Sequence, residues 1–313
     1  MKGHPKKNKF GNLPNWQFIL MMTVGVVVWA FAFPFIKIGL DELSFVNLTI
    51  MRFFIVVCVL LPILALDLKR FSKLYKKDIL PIFLLGFFGV MAYHFGLNYG
   101  EQFISPGAAS LIIATIPILI AILAFFILKE KISFKKAIGV IIALIGVLVI
   151  SIWGKKGEAL EIDYVFGAVA VFIAAILGAL YTIAGKKLLE RYSGLSLTVY
   201  AMLFGSIGLI PFINTSLFDQ VSKMSINGWF AIIFLGIFST IVGYVIWYVA
   251  LKIKSASEIG VYLYAMPVLA PIISYFWFKD EITLLFILGG VLVIVGLIIV
   301  NLKEQKISNK KID

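Results

Sequence analysis

Charged residues cut the chain into ten apolar runs, near residues 17–36, 45–66, 79–99, 106–128, 137–153, 164–184, 195–213, 228–251, 257–278 and 284–301. About 20 apolar residues make a helix long enough for the bilayer core. The pattern therefore predicts an all-α polytopic membrane protein with ten transmembrane helices. A second regularity runs through the same pattern. Leu85–Ser151 and Leu235–Asn301 superimpose without a gap at an offset of 150, with 12 identities in 67 positions. The breakers and the one charged turn keep register: Gly86 with Gly236, Pro117 with Pro267, Lys129 with Lys279, Glu130 with Asp280, Gly139 with Gly289 and Gly146 with Gly296. Such self-similarity fixes architecture before any single residue does.

The earlier part of each half aligns more loosely at an offset of 149, pairing Lys37 with Lys186. The duplication thus covers five spans per half, and an odd number makes the second half enter the membrane from the opposite side. The expected layout is a basic tail (1–16), a first five-helix repeat (17–153), a second, inverted repeat (164–302) and a second tail (303–313). Ala30-Phe31-Ala32 has the spacing of a signal-peptidase site. The apolar run continues past it into a polytopic chain, so span one is read as uncleaved.

Composition agrees: 62% of the 313 residues are apolar and mean hydropathy is +1.06, against roughly 45–50% apolar in soluble domains. The net charge of +12 raises nucleic acid as a partner, but the basic residues sit in short connections beside the spans. With the N-terminus in the cytoplasm, inner segments hold 22 Lys and Arg and outer segments 5. That asymmetry predicts both termini cytoplasmic in a multi-pass plasma-membrane protein, with the bilayer and not nucleic acid as partner. Loop 129–136 has four lysines and its repeat partner 279–286 one, while 100–105 has none and 250–255 has two. The reversal is what inversion requires.

Candidate chemistry lies on helix faces. Span three carries Tyr93 in a stripe with Gly86, Gly89, Gly96 and Gly100, beside a polar stripe of His94, Asn98 and Glu101. Polar groups inside a membrane seek water or one another. Span eight offers Tyr244, Trp247 and Tyr248, span nine Glu258, Tyr262 and Met266, span six Tyr181, and span four Thr115 beside Pro117. Tyrosine and tryptophan join an apolar face to a hydrogen-bonding tip, which suits small amphipathic solutes, aromatic ones included. Interfacial belts use the same residues, and Glu258 is equally a helix N-terminal carboxylate. Pro117 and Pro267 interrupt spans four and nine in corresponding positions and Pro271 follows in span nine, a pointer to a transporter's central site and to its hinges. Arg52 sits about seven residues, roughly 10 Å, inside its span; an intramembrane charge is a functional candidate, set against an arginine that snorkels outward or bonds carbonyls of a neighbouring helix.

Several classes lack their parts. There is no GxxxxGK[ST] nucleotide motif, no HExxH or other metal-ligand set, and a single cysteine, Cys58, in an apolar run. No catalytic residues, metal or cofactor are assigned, and the chain is not read as an enzyme. Soluble connections are too short for a scaffold or receptor. The Gly139/Gly146 and Gly289/Gly296 seams are placed at the periphery or between the subunits of a homodimer.

The repeated order of a small-residue span, a Ser105-Pro106-Gly107-Ala108 or Ser255-Ala256-Ser257 helix start, a mid-helix proline, the Lys129-Glu130 or Lys279-Asp280 turn and a Gly-x6-Gly helix resembles the EamA-type branch of the drug/metabolite transporter superfamily, over residues 17–302. The resemblance implies two inverted five-helix repeats and a cavity lined by spans 1, 3, 4, 6, 8 and 9, with Trp29 as a cavity residue. It also implies export of amino acids, related small-molecule metabolites or toxic compounds, and the inverted repeat with its paired prolines points to alternating access around spans 3/4 and 8/9. A lipid or lipid-linked-sugar flippase is the alternative on the same fold. The family's glycine in the turn after the proline helix is replaced here by Lys129 and Lys279.

Overall fold

The computed structural model describes residues 14–128, 134–153, 162–254, 256–279 and 282–301, and these form helices with no strand. We number the apolar helices α1 (Asn15–Leu40), α2 (Phe45–Leu66), α3 (Lys76–Gly100), α4 (Pro106–Ile113 with Ile116–Leu128), α5 (Phe134–Trp153), α6 (Ile162–Leu188), α7 (Gly194–Phe212), α8 (Ile226–Ile253), α9 (Ala256–Gly260 through Met266–Phe278) and α10 (Leu284–Asn301). Seven are long and apolar enough to cross a bilayer; the apolar stretches of α5, α9 and α10 are shorter, Ala137–Ile150, Tyr262–Phe278 and Leu284–Gly296. A short helix, Thr215–Ser222, lies between α7 and α8.

Helix starts follow the serines. Ser44, Ser105, Ser193 and Ser225 each accept a hydrogen bond from a backbone N–H of the first turn, filling donors that lipid would leave unpaired. Ser44 and Ser193 stand at the 149-residue offset, so the caps share the register of the repeat.

Exchanging α1–α5 for α6–α10 maps the main contacts onto one another. α1 packs on α8 and α9 as α6 packs on α3 and α4; α2 packs on α8 as α7 packs on α3; α2 meets α7, α4 meets α9 and α5 meets α10. Small residues set the closest approaches. A Cβ on Gly86 would lie 2.0 Å from the Ala201 carbonyl oxygen, and one on Gly205 2.6 Å from that of Gly86. The glycines of α5 and α10 abut each other's backbones, Gly146 against Gly289 and Gly296 against Gly139. These glycines pack α5 against α10 within the chain.

Two interruptions recur in each half. α3 and α8 are π-helical over Phe87–Ala92 and Phe234–Val242, which overlap at the 150-residue offset. α4 breaks at Ala114–Thr115 and α9 winds as a 3-10 turn over Val261–Ala265, each just before the expected proline. Pro117 and Pro267 lack an N–H and their rings clash with the carbonyl four residues back; each stands in the first turn of the new helix, where neither fault matters. Pro271 lies inside the last segment of α9, packed against Gly107 of α4.

Candidate functional site

The interruptions surround a central cavity of about 80 Å³. Its wall takes Trp29, Ala32, Phe33 and Ile36 from α1, Tyr93, His94 and Leu97 from α3, Ile113 and Ile116 from α4, Gly178, Tyr181 and Thr182 from α6, Ser239, Tyr244 and Trp247 from α8, and Leu263 and Met266 from α9. It also takes Arg52 from α2, a helix outside the lining set that the sequence led us to expect. Drug-sized ligand pockets run to roughly 300 Å³ or more, so the cavity is contracted.

The aromatic wall is fixed by specific contacts. Trp29 Nε1 donates to the Ser239 carbonyl oxygen at 2.9 Å, and its ring meets Tyr244 at 5.9 Å and Trp247 at 5.6 Å. Trp247 Nε1 donates to Thr182 Oγ1 at 3.3 Å. Tyr181 meets Tyr244 edge-on at 5.5 Å and stacks on Tyr248 at 4.7 Å with planes 7° apart. His94 is buried between Phe53, Tyr93 and Tyr244. Neither of its nitrogens, nor the Tyr181 hydroxyl, has a hydrogen-bond partner among the described residues.

Arg52 does not snorkel. It is 2% exposed, with Nε donating to Thr240 Oγ1 at 2.6 Å and Nη2 to Ser239 Oγ at 2.9 Å, side-chain hydroxyls and not the carbonyls expected. Nη1 has no partner among the described residues. Both hydroxyls belong to the π-helical part of α8, where Thr240 Oγ1 in turn donates to the Leu235 carbonyl oxygen at 2.7 Å. The sequence showed Arg52 as an intramembrane charge but held no sign of these partners.

Six of the residues predicted for the site meet at the cavity: Trp29, Tyr93, His94, Tyr181, Tyr244 and Trp247. Others stand off the wall. Asn98 turns to α2, donating from Nδ2 to Thr49 Oγ1 at 2.8 Å. Thr115 bonds the Ile112 carbonyl oxygen of its own helix. Tyr248 backs Tyr181 and donates to its carbonyl oxygen at 3.2 Å. Tyr262 packs edge-on to Phe18, and the side chain of Glu258 lies outside the described residues. Glu101, fully buried, makes no hydrogen bond from either carboxylate oxygen among the described residues.

Two polar clasps tie the halves together. Arg191, after α6, forms a bidentate pair with Asp78 at the start of α3, at 2.6 and 3.1 Å, and Tyr192 donates to the same carboxylate at 3.0 Å. The Asp78 bond raises the Arg191 pKa above its ordinary value, and burial raises that of Tyr192. At the repeat-related position after α1, Glu42 accepts from the backbone N–H and the hydroxyl of Ser225 at the start of α8.

A second opening, of about 810 Å³, lies between α3 and α6. Leu84, Leu85, Phe88, Leu177 and Leu180 line it, Lys187 and Arg191 are basic residues on its wall, and Gly89 and Tyr181 are shared with the central cavity.

A helical bundle built from two related halves around a central cavity walled by both defines a membrane transporter class. The EamA-like transporter family matches residues 16–152 and 165–302, and the chain belongs to that family. It is 36% identical over 287 residues to an uncharacterized transporter of Archaeoglobus fulgidus, covering 91% of this chain and 99% of the relative. It is 32% identical to the uncharacterized transporter YdfC of Bacillus subtilis over 93% of each chain. A probable terminal-alkyne amino-acid exporter of Streptantibioticus cattleyicolor is 32% identical over 91% of this chain and 92% of its own. One solved crystal structure shares the fold at a TM-score of 0.62 with 18% identity, covering 91% of this chain and 96% of that one.

Proposed function

We propose that this protein is a secondary transporter that exports small organic metabolites, amino acids and related compounds foremost, by alternating access around α3/α4 and α8/α9. In this reading ten helices cross the plasma membrane as two inverted five-helix repeats, with both termini in the cytoplasm. The observation that carries it is the central cavity walled by both halves and flanked in each by a π segment and a proline break, discontinuities of the kind that mark transporter binding sites. The amino-acid exporter among the relatives supports the substrate class, and the excess of basic residues in alternate connections supports the orientation. The Asp78–Arg191 and Glu42–Ser225 clasps serve as gates at the two ends of the path, both shut in a contracted state.

The test is uptake by proteoliposomes from a mixed pool of amino acids and metabolites, read by mass spectrometry with and without a proton gradient. Enrichment of amino acids is expected; no enrichment under any gradient, beside a working control transporter, overturns the proposal. The groove between α3 and α6 favours a second reading, a lipid or lipid-linked-sugar flippase. Its wall is apolar apart from Lys187 and Arg191, and Tyr181 alone with Gly89 divides it from the cavity. Flipping that depends on headgroup identity in the same vesicles would select this reading.

A further inference from the structure

The cavity wall contains one cation that no carboxylate hydrogen-bonds among the described residues. A guanidinium offers five N–H donors, and Arg52 directs Nε and Nη2 to the neutral hydroxyls of Thr240 and Ser239. Nη1 is buried with no hydrogen-bond partner among the described residues, on a side chain that lines the cavity. The nearby buried acid, Glu101, makes no hydrogen bond to it. A buried charge whose partners are all neutral is costly in the absence of an anion, and here the unspent donors belong to a side chain that forms part of the wall.

We infer that Arg52 anchors the carboxylate of the transported molecule, and that the site selects monocarboxylates with an apolar or aromatic body. The inference rests on the cavity being the substrate site. Carboxylate is favoured over phosphate because Arg52 is the sole cation in the wall among the described residues. Lys186, near the end of α6, directs Nζ to the carbonyl oxygens of Leu251 and Lys254. A phosphate dianion would keep half its charge uncompensated, whereas a carboxylate is matched in charge and in the geometry of Nη1. Trp29, Tyr244, Trp247 and Phe33 then receive the body of the solute.

The test is thermal unfolding of the purified full-length protein in detergent with four probes sharing one ring: L-phenylalanine, 3-phenylpropanoate, L-phenylalaninamide and phenethylamine. The two carboxylates are expected to raise the unfolding midpoint and to bind at least tenfold tighter than the amide and the amine. Arg52→Gln abolishes the preference, and Arg52→Lys keeps part of it. Equal responses to acid and amide in the natural protein, no response to either acid, or Arg52→Gln binding the acids within twofold of the natural protein would overturn the inference. Should Arg52→Gln not fold, the four-probe comparison on the natural protein and the Lys variant still decide. A response to 3-phenylpropanoate without one to phenylalanine keeps the carboxylate anchor and removes the amino-acid reading.

Discussion

Trp29→Phe separates the two duties of the tryptophan at the cavity wall. The substitution deletes the indole N–H that donates to the Ser239 carbonyl oxygen at 2.9 Å, a net loss of about 1 kcal/mol. It also removes roughly 40 Å³ of side chain, and at about 24 cal/mol per Å³ of cavity this adds ~1 kcal/mol. The sum is about 2 kcal/mol of destabilisation. The cavity, now about 80 Å³, would grow by roughly half on the same volume difference, and bulky solutes should gain over small ones. Trp16→Phe is the control, since Trp16 is 63% exposed on the same helix and should be neutral to within about 0.5 kcal/mol. Denaturant titration in mixed micelles reads the first effect, and the tryptophan-to-alanine uptake ratio in proteoliposomes reads the second. Equal stability of the two variants would refute the Ser239 contact; an unchanged uptake ratio would refute the placement of Trp29 at the solute.

Gly86→Ala should lower stability by about 1–3 kcal/mol or more, the cost of overpacking, because its Cβ would meet the Ala201 carbonyl oxygen at 2.0 Å. Gly290→Ala, whose nearest neighbour atom would be 3.5 Å away, should be neutral or stabilising on helix propensity; equal melting of the pair would contradict the α3–α7 contact. Asp78→Asn weakens the clasp on Arg191 and should speed alkylation of a cysteine placed at Ala32, in a Cys58→Ser background, from the Arg191 end. A rate unchanged from the parent would remove that clasp from the gate. Lys279 is left-handed, with φ 57° and ψ 33°, where a side chain costs roughly 1–2 kcal/mol, so Lys279→Gly should raise the unfolding midpoint, and a fall would argue against that backbone geometry.

The architecture was legible because glycine, proline and serine act on the backbone itself. Pro117 and Pro267 break their helices at matching points, and Ser105 caps the helix it was read to start. Lys279 shows the same logic in reverse: a left-handed residue favours glycine, and the chain pays strain to carry lysine there. The π segments had no such mark, since Phe87–Ala92 and Phe234–Val242 read as ordinary apolar helix. The site was legible only to the nearest stripe. Tyr244 and Trp247, three apart, face the cavity, but Tyr248, one residue further and about 100° round the helix, passes behind Tyr181. Asn98 departs from His94 in the same way and finds Thr49. Helical spacing names a face and leaves open which edge of that face the neighbour covers.

Arg52 shows the deeper reason. Counting residues from the end of the span gives its depth, and a shallow depth favours an arginine that reaches out to the interface. Direction is set instead by what stands opposite, and the opposing groups are Ser239 and Thr240, some 187 and 188 residues away in the chain. Adjacent residues on a regular helix diverge by about 100°, whereas the looser winding of the π segment narrows that angle. One guanidinium can then take both hydroxyls and still leave Nη1 unpartnered among the described residues. The same π segment supplies the Ser239 carbonyl oxygen to Trp29. A single irregular stretch of α8 thus positions both the cation and the indole of the wall, and a shift in its winding would move the two together.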